Sequence, residues 1–368
     1  MRVVIAGGGT GGHLFPGVAL AEELARKEKA LVTFVGTEKG IESRVIPRVG
    51  FQIKYLPVEG VMGRSLPGKV RALLKLAVSF TRSRRLLFSA CPDIVIGTGG
   101  YASVSTVMMA WTMSIPTLIL EQNVVPGAAN RMLGKFFASA VAATYQESMS
   151  SFPQDRTYLT GNPVRLEIFK AERGPSLELF GLLPERFTVF IFGGSSGARS
   201  INNAASGALN YLLDVKDKIQ FLHQSGERDY QGVREAYRKG GFQAMVAPFI
   251  FQMPEAYAVA DLVVSRAGAT TLAELTALGM PAVLIPYRYA GEHQEFNARK
   301  LSELGAARFI KDAELSGEIL ASEILRLMES GEERSLMSRR SRSIGKPDAA
   351  RRVADIAMSL VKLGKKNV

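Results

Sequence analysis

The chain opens with Arg2-Val-Val-Ile-Ala-Gly-Gly-Gly-Thr-Gly-Gly-His13, an apolar run that leads into a glycine-rich loop. A helical pattern follows from about Pro16 to Lys27. The second half repeats this order, with the apolar run Phe187–Phe192, the loop Gly193-Gly-Ser-Ser-Gly-Ala198 and a helical pattern to about Leu213. A buried strand, a glycine loop and a helix begin a doubly wound sheet. We therefore predict an α/β protein of two Rossmann-like domains that face each other across a ligand-binding cleft.

Apolar runs with β-branched residues predict the other strands of both domains. In the first domain these runs are Leu31–Val35, Gln52–Val58, Asp93–Ile96, Thr117–Leu120 and Ser139–Thr144; in the second they are Ile219–His223, Gln243–Ala247, Leu262–Ser265, Ala282–Ile285 and Ala307–Ile310. The segment Gly161-Asn-Pro-Val-Arg165 interrupts the pattern strongly. We place the domains at residues 1–163 and 164–345, with a final helical segment, 346–368, after Gly345-Lys-Pro347.

The composition is that of a globular protein, with 47% hydrophobic and 22% charged residues. The single cysteine, Cys91, excludes a disulfide framework and a structural zinc site, and it indicates a reducing, cytoplasmic compartment. The apolar run Val3–Ala6 is too short for a signal peptide, and no run approaches the roughly 20 apolar residues of a spanning helix. The net charge of +12 favours an anionic partner. Solubility alone is the alternative explanation.

The first glycine loop has two interpretations. Gly7, Gly9 and Gly12 match the dinucleotide pattern G-x-G-x-x-G, but the acidic residue that should end the second strand is missing, since Glu38 comes late. His13 favours another function. A histidine where loop becomes helix can act as a general base near neutral pH. The alternative role for His13 is packing or helix capping.

The sharpest motif is Ser265-Arg-Ala-Gly-Ala-Thr-Thr-Leu-Ala-Glu274, which follows a strand and runs into a helix. A pyrophosphate at that helix N-terminus would meet free N–H groups and the positive dipole end. Glu274 is placed to accept both ribose hydroxyls. The polar set Gly291–Asn297, with Gln294 and Glu295, suits the recognition of sugar hydroxyls. An ordinary turn or an exposed polar loop is the alternative for each motif.

A basic segment without acidic residues runs from Gly60 to Pro92, and its pattern between Leu66 and Phe88 is helical. A basic amphipathic helix is typical of a membrane-surface element that binds anionic lipids. A helix packed on the core with a charged outer face is the alternative. We do not expect nucleic acid as a partner, since aromatic residues do not interleave with the basic ones. The basic residues are Arg64, Lys69, Arg71, Lys75, Arg82, Arg84 and Arg85; the expected apolar face is Val70, Leu73, Leu74, Leu76, Ala77 and Phe80.

In this order the motifs resemble the MurG family of bacterial glycosyltransferases over essentially the whole chain. The resemblance rests on Gly7–Pro16, Gly97–Tyr101, Glu121–Asn123, Gly161–Arg165, Gly193–Arg199, Arg266–Glu274, Gln294 and Asn297. It implies a GT-B fold in which the first domain binds the acceptor and the membrane, the second binds UDP-GlcNAc, and the final helix crosses back to the first domain.

The resemblance also implies a reaction and a place in the cell. The expected reaction moves N-acetylglucosamine from UDP-GlcNAc to the C4 hydroxyl of the muramyl sugar of lipid I. Lipid II would form with inversion, in peptidoglycan synthesis. The protein would be peripheral, at the cytoplasmic face of the cell (inner) membrane.

Site residues follow from the same resemblance. His13 resembles the family's candidate base or acceptor-orienting residue. The donor-binding positions would be Thr10, Gly11, Gly12, Asn123, Arg165, Ser195, Ile250, Ala269, Thr270, Thr271, Leu272, Ala273, Glu274 and Gln294. Because the chain has no Asp-x-Asp motif, we expect neither a metal nor another cofactor. The chain departs from the family pattern at Leu120, often histidine, at Ser196, often glutamine, and at Glu292, often aspartate.

Three alternatives remain open at this point. A dinucleotide-dependent oxidoreductase would use Gly7–Gly12 but would leave Arg266–Glu274 and the basic helix unexplained. A glycosyltransferase of the same fold could act on diacylglycerol or another lipid. A membrane-bound scaffold could bind a nucleotide sugar without turnover.

Overall fold

The computed structural model describes residues 1–58, 66–194, 197–287 and 293–366, with side chains from residue 75 of the third helix and up to residue 364 of the last. The chain divides into two compact units, which we describe separately. Unit 1 comprises Met1–Arg165 and Lys346–Val368, and unit 2 comprises Leu166–Gly345. The first border lies two residues after the predicted one.

Unit 1 contains a seven-stranded parallel sheet in the order β3-β2-β1-β4-β5-β6-β7. The chain reverses its winding direction between β1 and β4, which are neighbours, and loops that leave such a switch point are where ligands bind in doubly wound sheets. The strands are β1 Arg2–Gly7, β2 Leu31–Gly36, β3 Gln52–Tyr55, β4 Ile94–Gly99, β5 Thr117–Glu121, β6 Ala140–Ala143 and β7 Thr157–Leu159.

The helices between these strands cover both faces of the sheet. Strand β1 is buried on both sides, as its unbroken apolar run predicts, and Val3 to Ala6 are almost inaccessible to solvent. The helices are α1 Gly11–Glu28, α2 Glu42–Arg48, α3 Leu66–Ala90, α4 Tyr101–Thr112, α5 Ala128–Phe136 and α6 Gln146–Met149.

Unit 2 repeats this plan with a six-stranded parallel sheet in the order β10-β9-β8-β11-β12-β13. Its strands are β8 Phe187–Phe192, β9 Ile219–Gln224, β10 Ala244–Ala247, β11 Leu262–Ser265, β12 Ala282–Leu284 and β13 Arg308–Phe309. Its helices are α7 Arg173–Phe180, α8 Arg199–Ala208, α9 Tyr230–Gly240, α10 Met253–Val259, α11 Ala269–Leu278, α12 His293–Glu303, α13 Gly317–Glu329 and α14 Gly331–Ile344.

Strand β8 separates the two cores of unit 2. Val189 and Ile191 face one core, while Phe190 and Phe192 face the other. On that second side the Phe190 and Phe192 rings stack at 4.7 Å, and Tyr257 of α10 meets Phe190 edge-on at 5.8 Å. The alternation along β8 therefore fixes the position of Tyr257.

The last helix, α15, spans Ala349–Lys366 and belongs to unit 1. It packs against α1, and Lys27 Nζ lies 2.8 Å from Asp355 Oδ1. The C-terminal segment thus returns to the unit in which the chain begins.

Each predicted strand is present, although β3 ends at Tyr55 rather than Val58. The predicted ends of two helices were wrong. Helix α1 begins at Gly11 instead of Pro16, because Thr10 is extended and its carbonyl already accepts from the amide of Leu14. Helix α8 ends at Ala208 instead of Leu213, and short 3-10 turns follow it. The earlier start of α1 matters for function, since it places His13 in the first helical turn.

Candidate active site

Two glycine loops meet at the carboxyl ends of β1 and β4. Gly8 and Gly9 have φ values of +141° and +83°, and Gly100 has a φ of +81°, which side-chain-bearing residues rarely adopt. The loops are also in close contact, because a Cβ at Gly100 would lie 2.9 Å from the Gly8 carbonyl oxygen. Both loops therefore need glycine. The N-terminus of α1 follows the first loop directly and lies against the second.

His13, in the first turn of α1, lies next to these two loops. Its ring packs so closely on β4 that a Cβ at Gly99 would lie 2.6 Å from His13 Nδ1. Burial lowers the pKa of His13 below its usual 6.5, although the side chain of Gln122 and the carbonyl of Thr98 act in the opposite direction. The imidazole is therefore neutral near neutral pH, which is the state that a general base requires.

Sequence reasoning missed Glu42, the first residue of α2, whose carboxylate lies inside the first glycine loop. Its Oε2 accepts from the Gly9 amide at 2.8 Å, and its Oε1 accepts from the amide and hydroxyl of Thr37 at 2.8 and 2.9 Å. Gly8, Gly36 and Gly40 make room, because a Cβ at any of them would lie within 2.6 Å of this side chain. A lone glutamate in a short helix reads as a surface residue, so no sequence signal singles it out.

The position of Glu42 weakens the dinucleotide interpretation of the loop. In that interpretation the loop amides bind a pyrophosphate. Here the Gly9 amide already donates to a carboxylate, and Glu42 is only 1% exposed. A negative group at this point repels a second anion.

The loop after β5 carries Glu121, Gln122 and Asn123. Glu121 is buried, which raises the pKa of its carboxyl group, and hydrogen bonds from Asn123 and Asn130 oppose that shift. Its Oε1 accepts from the Asn123 amide at 2.9 Å, and its Oε2 accepts from Asn130 Nδ2 at 3.1 Å. Glu121 thereby orients Asn123, one of the predicted donor-binding residues.

Arg165, the last residue of unit 1, contacts helix α1. Its guanidinium carbon is 4.7 Å from the ring centre of Phe15, which belongs to α1, and the side chain is largely buried. Unit 1 therefore gathers part of the predicted set at the start of α1. Thr10 precedes the helix, and Gly11, Gly12 and His13 form its first turn. Arg165 packs on the ring of Phe15 in the second turn.

In unit 2 the predicted nucleotide motif forms the start of α11. Gly268 is the extended residue before the helix, so Ala269, Thr270 and Thr271 form the first turn. Amides of a first turn have no acceptor within their own helix and lie at its positive end. Leu272, Ala273 and Glu274 form the next turn. Glu274 is only 4% exposed, and its Oε2 accepts from the Tyr257 hydroxyl at 2.9 Å.

Arg266, the first residue of this motif after β11, is structural. Its Nη1 lies 2.6 Å from Asp312 Oδ1 and also donates to the carbonyls of Ile285 and Pro286, each at 3.1 Å. Its Nη2 donates to Ser200 Oγ at 2.8 Å. The guanidinium therefore ties the loop before α11 to the ends of neighbouring elements, and it holds that loop in place.

Gln224 at the end of β9 was not anticipated either. Its Nε2 donates to the Gly194 carbonyl at 2.9 Å, and its Oε1 accepts from the Ile250 amide at 2.8 Å. It thus links the glycine loop after β8 to the loop that carries Ile250, a predicted donor-binding residue. The predicted residue Ser195, and the departures at Ser196 and Glu292, lie outside the described residues.

Gln294 lies in the first turn of α12. Its Oε1 accepts from the Tyr287 amide at 2.9 Å, which ties the helix start to the strand end before it. Gln294, the α11 start and Ile250 all follow strands of the same parallel sheet at their carboxyl ends, where ligands of doubly wound sheets bind.

The described part of α3 differs from a simple two-faced helix. Ser79, Ser83 and Leu87 are its buried stripe, and Ser83 Oγ lies 3.4 Å from Ser105 Oγ of α4. Ala77, one of the residues of the expected apolar face, is exposed. Val78 is 48% exposed and Phe88 78% exposed, and the exposed arginines beside them are Arg82, Arg84 and Arg85.

Two features are absent from the residues that the structure describes. In those ranges no helix is both long and apolar enough to cross a membrane. Within the same ranges, no three His, Cys, Asp or Glu side chains are grouped in a way that could hold a metal ion.

The chain has two Rossmann-like units, and the buried carboxylate of Glu274 lies in a helix whose first turn is of the kind that binds nucleotide phosphates. This arrangement is that of a GT-B glycosyltransferase. Residues 3–142 match the N-terminal domain of glycosyltransferase family 28, and residues 188–353 match its C-terminal domain. The chain belongs to glycosyltransferase family 28, and within it to the MurG family.

Curated relatives support the assignment to the MurG family. The chain is 50% identical, over 98% of its length and 99% of the relative, to the UDP-N-acetylglucosamine--N-acetylmuramyl-(pentapeptide) pyrophosphoryl-undecaprenol N-acetylglucosamine transferase of Thermodesulfovibrio yellowstonii. It is 45% identical to the protein of that name from Myxococcus xanthus, over 98% of this chain and 93% of the relative. The resemblance that we inferred from the motifs is confirmed.

Solved structures agree on the fold. Acinetobacter baumannii MurG superposes with a TM-score of 0.73 at 27% identity, covering 97% of this chain and 99% of that one. A UDP-GlcNAc 2-epimerase from Neisseria meningitidis, bound to UDP-GlcNAc, gives a TM-score of 0.70 at 14% identity, over 98% of this chain and all of that one. At that identity the second likeness shows the fold alone. The predicted α/β GT-B fold is confirmed.

Proposed function

We propose that this chain transfers N-acetylglucosamine from UDP-GlcNAc to the C4 hydroxyl of the muramyl sugar of lipid I, which gives lipid II. Relatives at 43–50% identity over nearly the whole chain carry the name of this transferase. The observation in this chain that carries the proposal is Glu274, buried at the start of α11 and oriented by Tyr257. A carboxylate held there suits the two hydroxyls of a ribose.

The donor nucleotide has a physical reason to bind at α11. A diphosphate would accept from the first-turn amides and gain from the helix dipole. Glu274 would then accept from the ribose about one turn further along. We assign donor binding to Thr10, Gly11, Gly12, Asn123 and Arg165 in unit 1, and to Ser195, Ile250, Ala269, Thr270, Thr271, Leu272, Ala273, Glu274 and Gln294 in unit 2.

The chemistry needs a base and a stabilised leaving group. In the proposed step His13 takes the proton of the acceptor hydroxyl, whose oxygen forms a bond to C1 of the donor sugar. The bond from C1 to the β-phosphate oxygen breaks, and UDP leaves with the electron pair. Attack opposite to the leaving group inverts C1. The α11 start and Arg165 stabilise the departing charge, so that the route requires no metal or other cofactor.

We further propose that the protein works as a peripheral protein at the cytoplasmic face of the membrane. The support is α3, where exposed Val78 and Phe88 lie on the same helix as exposed Arg82, Arg84 and Arg85. Apolar side chains can enter the headgroup region while arginines pair with anionic lipids. Such a surface would hold the enzyme near a lipid-linked acceptor.

The proposal is tested by offering radiolabelled UDP-GlcNAc with lipid I to the full chain. The expected product is a lipid-linked disaccharide that forms with UDP-GlcNAc and far more slowly with other UDP-sugars. A parallel reaction with diacylglycerol tests the alternative acceptor. Transfer to diacylglycerol but not to lipid I would overturn the acceptor assignment. Binding of UDP-GlcNAc without any transfer would favour a scaffold.

A further inference from the structure

His13 and Gln122 each bury a polar atom that lacks a partner. His13 Nδ1 and Gln122 Oε1 are both inaccessible to solvent, and neither makes a hydrogen bond of good geometry to a residue that the structure describes, although the Gln122 side chain and the Thr98 carbonyl lie close enough to His13 to act on its pKa. A buried polar atom without a partner destabilises the folded protein, because it has lost its hydrogen bonds to water and gained none in return. One of these atoms can donate and the other can accept, so a single hydrogen bond between them would remove both costs.

The surrounding contacts bring the two side chains together. Gln122 Nε2 donates to the Thr98 carbonyl at 2.8 Å, which fixes the amide plane, and Gln122 is only 1% exposed. The His13 ring packs on Gly99, the next residue of β4. The same strand end therefore holds both side chains. Since the amide nitrogen is engaged with Thr98, the amide oxygen is the atom that remains for His13.

We propose that Gln122 is a positioning residue that accepts a hydrogen bond from His13 Nδ1–H and so leaves the lone pair of His13 on Nε2. The proposal rests on the proposed function, in which His13 takes the acceptor proton. A neutral imidazole carries its proton on either nitrogen, and only the tautomer with a bare Nε2 can act as a base through Nε2. Gln122 selects that tautomer.

A neutral partner for His13 has a consequence for its charge. Two carboxylates lie on the surrounding elements. Glu42 accepts hydrogen bonds from Gly9 and Thr37, and Glu121 accepts from Asn123 and Asn130. An amide orients the ring as a carboxylate would, but because it carries no charge it stabilises the imidazolium less, and burial remains the larger effect on the His13 pKa. His13 is therefore both oriented and kept neutral, and a carboxylate in place of the amide would raise its pKa.

The direct test is nitrogen-15 NMR of the histidine rings in the full-length protein at mildly alkaline pH. The chain has three histidines, and a His13→Gln variant identifies the signals of His13. We expect the Nδ1–H tautomer of His13 to dominate and to become a mixture in Gln122→Leu. An unchanged tautomer in Gln122→Leu would overturn the proposal. The control is Gln220→Leu, which removes a buried, hydrogen-bonded glutamine of unit 2 and should leave the His13 signals unchanged.

A second variant decides the matter if Gln122→Leu does not fold. Gln122→Glu keeps the shape and adds a charge, so the pKa of His13 should rise by about one unit or more. The acidic limb of the kcat profile should move upward with it, while KM for UDP-GlcNAc stays within about twofold. A His13 pKa that stays at the wild-type value would show that residue 122 does not contact the ring.

Kinetics separate this proposal from the proposed function. Gln122→Leu should lower kcat about tenfold or more, a part of the roughly 10²–10⁴ that a positioned base contributes. If His13→Ala retained full activity, the role of His13 as base would fail even with the tautomer preference intact. If His13→Ala were inactive while Gln122→Leu kept both tautomer and kcat, only the role of Gln122 would fail.

Discussion

The Tyr257 hydroxyl donates a 2.9 Å hydrogen bond to Glu274 Oε2, and both side chains are buried. Tyr257 in turn packs on Phe190 and Phe192 of β8, at 5.8 and 6.3 Å between ring centres. The core of unit 2 thus determines the orientation of a carboxylate near the carboxyl end of β11. A side chain held in this way needs little reordering when a nucleotide binds.

This relationship predicts a small, specific defect in Tyr257→Phe. The ring and its packing stay, while Glu274 loses one hydrogen bond worth about 1 kcal/mol, or roughly fivefold in an equilibrium constant. We expect UDP to bind about three- to tenfold more weakly by calorimetry. Tyr237→Phe, which removes a buried hydroxyl bonded to His223 in the same unit, is the matched control and should not change UDP affinity. Equal effects of the two changes would contradict the orienting role.

Glu42→Ala should loosen the first glycine loop. The Gly9 and Thr37 amides would lose their acceptor, at a cost of roughly 1–3 kcal/mol for each buried group. We expect lower stability of unit 1 in urea and faster hydrogen exchange at those two amides. Glu38→Ala, which changes an exposed glutamate in the loop between β2 and α2, should change stability by less than about 0.5 kcal/mol. Unchanged exchange at Gly9 in Glu42→Ala would refute the assignment.

The rate of transfer should fall on acidification. His13 must be neutral to take a proton, and burial lowers its pKa below 6.5. The activity should therefore be present above that pKa and be lost as the pH falls through it, with a midpoint on the acidic side of 6.5. His13→Ala should lower kcat by about 10²–10⁴ without weakening UDP binding, and it should lose this limb of the profile. A midpoint on the alkaline side of 6.5 would contradict a buried, neutral base.

Membrane binding should depend on the arginines of α3. Changing Arg82, Arg84 and Arg85 to Glu should weaken sedimentation with anionic vesicles, because each basic residue near such a surface contributes roughly 1 kcal/mol. The binding of the wild-type chain should weaken with added salt. A control with the same charge change uses three exposed residues of unit 2, namely Lys216, Arg234 and Arg339. If both triple variants lost binding alike, net charge rather than α3 would be responsible.

The fold could be predicted from the sequence because its strands are long apolar runs. Phe187–Phe192 and Val3–Ala6 are buried on both faces, so their composition alone reveals them. Strand β7, Thr157–Leu159, escaped prediction because it is an edge strand of three residues with Tyr158 and Leu159 exposed. A short half-exposed strand of this kind resembles a loop in sequence.

The site could be predicted only in part, for a related reason. Glycine loops and the helix start before Glu274 are local patterns, and the sequence shows them directly. Glu42, Gln224 and Tyr257 act across the fold, each on an atom far away in sequence. Their roles depend on which strands become neighbours, and no local spacing encodes that.

The central claim is that the nucleotide binds at the start of α11 with its ribose on Glu274. The most direct test is UDP titration calorimetry of the full chain, its Glu274→Ala variant and, as control, Glu235→Ala, which changes a partly exposed glutamate of α9. The account predicts that Glu274→Ala weakens UDP binding about 10- to 100-fold, since charge-assisted hydrogen bonds are worth about 1.5–3 kcal/mol each. It predicts no change for Glu235→Ala. Wild-type affinity for UDP in Glu274→Ala would contradict it.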